Sequence, residues 1–267
     1  MLSMALEHWQ LLASLGGFLV FWSWESLAPF FVFKGRVRHA LRNLAIATLN
    51  ILAVTTVFAG VTIAVSEYAA RSGAGFVHWA LLGSVPSFAV ALLALDFWTY
   101  WWHRANHTIP LLWRFHRMHH SDPAMDVSTA TRFHAGELAL SSTLRLGVIL
   151  VAGAPVAAIV LYDFVLLVST QFHHSNIALP NGMDRVLRRF IVSPNMHKVH
   201  HSDLRAEMDS NFTSILSVWD RLFGTYRERD DWRQIHFGVP GLADARFQTI
   251  GGLLRTPFVK RPRPASA

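Results

Sequence analysis

The sequence predicts an all-α integral membrane protein: about three spanning helices plus a membrane hairpin, beneath a helical cytoplasmic cap rich in histidine. Three observations predict it. Hydrophobic residues make up 52% of the 267 positions and charged residues only 15%, where a soluble domain carries about 25% charged. Long stretches run without charge. And 11 of the 15 histidines fall in windows 103–134 and 173–201, which together hold 61 residues.

The spans come first. Residues 43–66 contain no charge, residues 9–33 contain only Glu25, and residues 76–95 contain none before Asp96. Each is long enough to cross about 30 Å of hydrocarbon as a helix. The N-terminus lacks the basic region and cleavage site of a signal peptide. Orientation follows from Lys and Arg. Lys34, Arg36, Arg38 and Arg42 follow the first span, none precedes it, and only Arg71 follows the second. The basic loop is therefore expected inside, and the third span delivers His103 and His107 to the cytoplasmic surface.

The next apolar stretch, 138–172, is broken only by Arg145 and Asp163. A single crossing would put the histidines after it on the wrong side. A hairpin of two arms of about 16 residues, turning at Gly153-Ala154-Pro155, returns them to the same face. The expected organisation is then 1–101 transmembrane helices, 102–137 first cap segment, 138–172 hairpin, and 173–267 second cap segment. The latter ends in a basic tail with Lys260-Arg261-Pro262-Arg263-Pro264, read as a surface strap or a disordered end. One functional domain covers about 90–230.

Composition also excludes classes. There is no cysteine, so disulfides, zinc–thiolate sites and iron–sulfur clusters are out. The net charge of +7 suits a cytoplasmic leaflet; no basic stripe interleaved with aromatics points to nucleic acid. No glycine fingerprint for a dinucleotide is present.

The histidines have helical spacing. His103 and His107 are four apart. His116, His119 and His120 form one H-x-x-H-H phrase, and His197, His200 and His201 repeat it. Residues three and four apart share a helix face, so each phrase aims several imidazoles at one point. Eight are too many for one four-coordinate zinc and suit two metals; imidazole suits iron, zinc, copper and nickel. His174 is positioned to complete the shells and His134 is a further candidate, whereas His173 is read as a neighbour only. Ligating histidines commonly give their other N–H to a carboxylate or carbonyl. Asp96, two turns before His103, Asn195 and Asp209 are candidates for that support, with Asn211 and Asp220 behind them. His8, His39, His78 and His236 are expected at the interface or surface, and Glu25 and Asp163 as polar links between spans.

These residues resemble the fatty acid hydroxylase/sterol desaturase superfamily, a group of membrane-bound, histidine-rich di-iron oxygenases. The resemblance rests on Asp96-x-x-x-Tyr100-x-x-His103-x-x-x-His107, on both H-x-x-H-H phrases, and on their flanks. The flanks are Trp113-Arg114-Phe115, Phe172-His173-His174-Ser175-Asn176, Ser193-Pro194-Asn195-Met196 and Trp219-Asp220-Arg221-Leu222-Phe223-Gly224-Thr225. Ala135 departs from it, standing where many members carry proline. The resemblance implies two non-haem irons on the eight phrase histidines with His174, dioxygen as co-substrate, and hydroxylation or desaturation of an acyl or sterol-like lipid. It also implies electrons from a separate reductase with a ferredoxin or cytochrome b5 type carrier, for which the basic loop and Lys198 are candidate contacts. The protein is expected to be multi-pass, in the cell inner membrane if bacterial. Two other classes stay open at this point. A haem b carrier would set paired histidines deep within spans, and a zinc hydrolase would carry a H-E-x-x-H phrase, which is absent.

Overall fold

The computed structural model describes residues 2–260, with side chains from residue 12 onward apart from Ala13. The tail residues 261–264 and the side chain of His8 therefore lie outside the described residues. Among the described residues, thirteen α-helices occur in the order α1 (Leu2–Leu27), α2 (Arg36–Asn50), α3 (Thr56–Ser72), α4 (Phe76–Trp79), α5 (Ser84–Thr108), α6 (Pro110–His120), α7 (Ala135–Ala152), α8 (Val156–His174), α9 (Asn181–Leu187), α10 (Pro194–His200), α11 (Arg205–Met208), α12 (Val218–Leu222) and α13 (Ile250–Arg255). The described residues form no strand, only three isolated bridges.

Among the described residues, three segments are long and apolar enough to cross a membrane: Arg36–Trp79, α7 and α8. The chain is a membrane protein. Several boundaries differ from those expected. A π-helical turn, Ile51–Thr55, joins α2 to α3, so the second span lies within one helical rod that starts at Arg36, its basic residues projecting from the first turns. The third expected span is not among these segments: Gly73, at φ 67, closes α3, Gly75 opens the short α4, and α5 starts only at Ser84. The hairpin arms are longer than expected, 18 and 19 residues, so each can cross.

The hairpin turn has a plain cause. Gly153 takes φ 71 and closes α7 in the left-handed conformation, and Pro155 precedes the first turn of α8, the usual glycine-out, proline-in order. The turn also fits against Gly75, where any Cβ would strike the Gly153 backbone. Beneath the cap, α5 packs on both arms. Ala91 and Leu95 of α5 meet Ile149 and Ala152 of α7 and Ala158, Ile159 and Tyr162 of α8 in one buried cluster.

Polar contacts hold the cap to this frame. Glu25, at the end of α1, is buried; it pairs with Arg36 at 2.7 Å and accepts from the Val127 and Asn176 amides at 3.1 and 2.7 Å. It links three segments, as a buried carboxylate must be satisfied. His39 overturns its surface assignment. It is buried between Asp122 and Asp126, with ring nitrogens 2.8 and 3.0 Å from their carboxylates, and so ties α2 to the segment after α6. His236 is exposed and His78 half-buried.

Candidate metal centre

Helix α5 runs unbroken into the cap and stops before Pro110, whose ring disfavours a helical residue ahead of it. It carries His103 and His107. Proline starts α6, which carries His116, His119 and His120, and proline again starts α10, where the Ser193 hydroxyl accepts from the Met196 amide at 3.2 Å. Helix α10 carries His197 and His200, with His201 at its end. His174 closes α8.

These nine histidines are buried and fall into two groups. His103, His107, His116, His120 and His200 form one; His119, His174, His197 and His201 form the other. Within each group the nearest ligand atoms all lie within 4.8 Å of one another. Both H-x-x-H-H phrases are divided. The first gives His116 and His120 to the five-membered group and His119 to the other; the second gives His200 to the five and His197 and His201 to the four. Neighbours on a helix point about 100° apart, so adjacent histidines cannot share a centre.

The nitrogens are sorted as metal ligands require. In the group of five, Nδ1 of His103 donates to the Phe212 carbonyl at 2.7 Å and Nδ1 of His200 to the Ser210 carbonyl at 2.6 Å. Nδ1 of His116 lies 2.8 Å from Glu137 Oε1, and Nδ1 of His107 3.3 Å from Asp209 Oδ1. In all four rings Nε2 is buried with no protein partner. A ring that donates through Nδ1 carries its lone pair on Nε2, and a buried lone pair without a partner is costly. In the group of four, Nδ1 of His119 and His197 has no protein partner among the described residues, and His174 alone shows the Nδ1-to-carbonyl bond. His174 Nδ1 donates to the Thr170 carbonyl at 2.7 Å, and its Nε2 stands 3.0 Å from Nε2 of both His119 and His197. Imidazole nitrogens about 2.1 Å from one metal and at right angles stand about 3.0 Å apart. The donor set thus fits two borderline metal ions.

Charge agrees with this. Burial, opposed by the bond to Ser210, pushes the pKa of His200 from 6.5 to about 3. Burial and the neighbouring imidazoles also hold His119, His120, His197 and His201 below 6.5. All are neutral at pH 7, the ligating form. Because the folded values are depressed, both states are uncharged above pH 6.5 and stability is complete there. Below it the unfolded chain takes up protons that the fold refuses. The metal-free protein is therefore expected to lose stability steadily from about pH 6.5 toward pH 3, measurable as a falling melting temperature.

Glu137 went unremarked in the sequence, though it lies three residues after the noted His134. It also accepts from Asn106 Nδ2 at 3.2 Å. Glu137→Gln is expected to keep the fold and lower metal affinity tenfold to a hundredfold, as losing a supporting carboxylate usually does; competition with a graded chelator checks this. The backbone carbonyls were also unmarked. They are aimed by Asp220, which accepts from the Phe212 and Thr213 amides at 2.8 and 3.0 Å, from the Thr213 hydroxyl, and from the Thr225 hydroxyl at 2.7 Å. Asn211, at φ 53, sits between the two carbonyls and donates to Met196 and Arg227 at 3.0 and 2.9 Å.

Four sequence expectations fall elsewhere. His134 caps α7: its Nδ1 accepts from the Gly136 amide at 3.0 Å and its Nε2 faces the Leu254 carbonyl at 3.3 Å. Both nitrogens are used, and the ring belongs to neither group. Asp96 accepts from the Trp219 indole at 2.7 Å and supports α12 rather than an imidazole. Asn195 is buried, and its amide has no protein partner among the described residues. Lys198 cannot be a docking contact. It is fully buried with its ammonium 4.9 Å from the Phe30 ring, and burial pushes its pKa down to about 7. His173 lies beside the group of four, its ring 4.0 Å from that of His197.

A cavity of about 430 Å³ lies under the histidines between α5, α7 and α8. His103, His116, His119, His174 and His197 form part of its wall, with Phe133, Leu138, Leu166 and Leu167 below.

The fatty acid hydroxylase family profile matches residues 88–225. The chain belongs to the fatty acid hydroxylase family. Members with curated functions that resemble it include the alkylglycerol monooxygenase of Homo sapiens, 30% identical over 141 residues that make up 53% of this chain and 31% of the relative. The ornithine lipid hydroxylase of Rhizobium tropici is 28% identical over 174 residues, 65% of this chain and 51% of the relative. A very-long-chain aldehyde decarbonylase of Oryza sativa subsp. japonica is 26% identical over 161 residues, 57% and 25% of the two chains. The matched stretches thus span about a third, a half and a quarter of these family members. No solved structure matches the chain.

Proposed function

We propose that the protein is a membrane-bound, non-haem di-iron oxygenase that hydroxylates or desaturates a lipid with dioxygen. One observation carries the reading: nine buried imidazoles in groups of five and four, their free nitrogens turned inward above a cavity between membrane helices. The family match and the lipid-oxidising relatives support it. Two irons held by these groups, when bound and reduced, would supply the oxidising power to break an unactivated C–H bond. The protein's own part is to hold, aim and exclude. The Nδ1 acceptors fix the rings of His103, His107, His116, His174 and His200, Phe133 and the leucines of α7 and α8 keep water from the reacting carbon, and the cavity sets which carbon faces the histidines. Hydroxylation and desaturation need the same histidines; they differ in how closely a second C–H is held beside the first.

The cap belongs on the cytoplasmic side by the Lys and Arg distribution, where a soluble ferredoxin or cytochrome b5 type carrier would deliver electrons. Lys34 and Arg38 are exposed and remain for docking; Arg36, held by Glu25, and Lys198 do not. Metal analysis of the detergent-purified protein tests the reading. About two irons per chain are expected; one zinc alone, or a haem Soret band, would overturn it.

A further inference from the structure

The cavity under the histidines is polar at both ends. Helix α8 turns one face toward it, where His174, Thr170, Leu167, Leu166 and Asp163 recur at three- and four-residue steps. Asp163 is eleven residues from His174, which is about 16 Å along the helix. The stretch between is mainly apolar; the wall also includes Ser141 and Thr99, whose hydroxyl pairs at 2.7 Å with that of Tyr162, the residue before Asp163.

Asp163 is held by Arg145, two turns along α7 from Glu137. The guanidinium donates to both carboxylate oxygens, at 2.5 and 3.3 Å, and bridges the two arms of the hairpin. The pair is not sealed: the side chains are 22% and 33% exposed. A charge pair within apolar membrane helices is costly and by default marks function. A carboxylate offers about four acceptor sites. Arg145 occupies two, and Asp163 is part of the cavity wall.

We propose that Asp163, positioned by Arg145, binds a hydrogen-bond-donating group of the lipid, a hydroxyl or amide N–H, about 16 Å from the carbon that meets the histidines. The substrate class is then a lipid that carries a hydrogen-bond donor about that far along an apolar segment from the reacting carbon, rather than one with a plain hydrocarbon tail there. This rests on reading the cavity as the lipid site of an oxygenase.

Purified full-length protein in detergent tests it with two probes, dodecan-1-ol and its methyl ether 1-methoxydodecane, which keeps the oxygen but lacks the donor, their affinities read by thermal shift titration. The wild type is expected to bind the alcohol about tenfold more tightly, the worth of one charge-assisted hydrogen bond. Arg145→Met combined with Asp163→Leu removes both charges together, and the preference is expected to vanish while iron content is unchanged. Equal binding of both probes by the wild type, or the same preference in the double variant, would overturn the site. Should the double variant fail to fold, the wild-type comparison alone decides. Iron content is measured on the same preparations. Alcohol preference in a chain that binds no iron would sustain this site and sink the oxygenase reading; a loaded chain without preference would sink this site alone.

Discussion

Replacing His200 with alanine is expected to strip metal from the five-histidine group and to cut lipid oxidation at least about a hundredfold, beyond what loss of a mere supporting bond costs. His200 is the one member of that group supplied by α10; the other four come from α5 and α6. Its ring is fully buried, its Nδ1 is committed to Ser210, and its Nε2 has no protein partner. No neighbour can take its place, because His201 points into the other group. Membrane insertion is set by α2–α3, α7 and α8 and should be untouched. Metal per chain, determined by elemental analysis of membrane-extracted protein, checks the effect; full retention of both irons would count against the assignment.

Asp220→Ala is expected to be the most damaging change outside the histidines. The carboxylate accepts four hydrogen bonds within the 212–225 segment, and it is fully buried. Truncation leaves two amides and two hydroxyls without it in a site closed to water. Each such group costs about 1–3 kcal/mol, so a loss of at least about 3 kcal/mol is expected. The same turn presents the Phe212 and Ser210 carbonyls, so His103 and His200 lose their orientation as well. A fall in melting temperature together with loss of metal is the expected pair of readouts. Asp220→Asn, which keeps one acceptor oxygen, should recover part of both. A stable, fully loaded Asp220→Ala protein would show that the turn orders itself.

Much of the centre was legible because helical spacing is a strong code. Eight histidines announced themselves by three- and four-residue steps, and His174 by its place at the rim of the hairpin. The hairpin was legible because Gly153 and Pro155 are punctuation of a known sense. What was not legible is of two kinds. Backbone acceptors such as Phe212 and Ser210 have no side-chain signature, so no pattern could mark them. The roles of Glu137 and His39 depend on partners far along the chain: Glu137 meets His116 across 21 positions and His39 meets Asp122 across 83. A lone carboxylate or histidine reads the same whether it faces water or a distant partner. Asp96 shows the converse. Its two-turn offset from His103 was real, yet the indole of Trp219 claimed it. The π-helical turn also left no trace, since it inserts one extra residue per turn without changing composition.

The division of each H-x-x-H-H phrase has a consequence for how the protein matures. Helices α6 and α10 each contribute to both groups, so neither can be ordered for one ion alone. An ion that settles in the first group fixes both helices and thereby prepares the imidazoles of the second, which then closes at a smaller entropic cost. Metal uptake should accordingly be steep rather than stepwise, with singly loaded chains scarce at intermediate metal concentration. A cell short of the metal would hold a mixture of empty and complete molecules instead of a population of half-built ones.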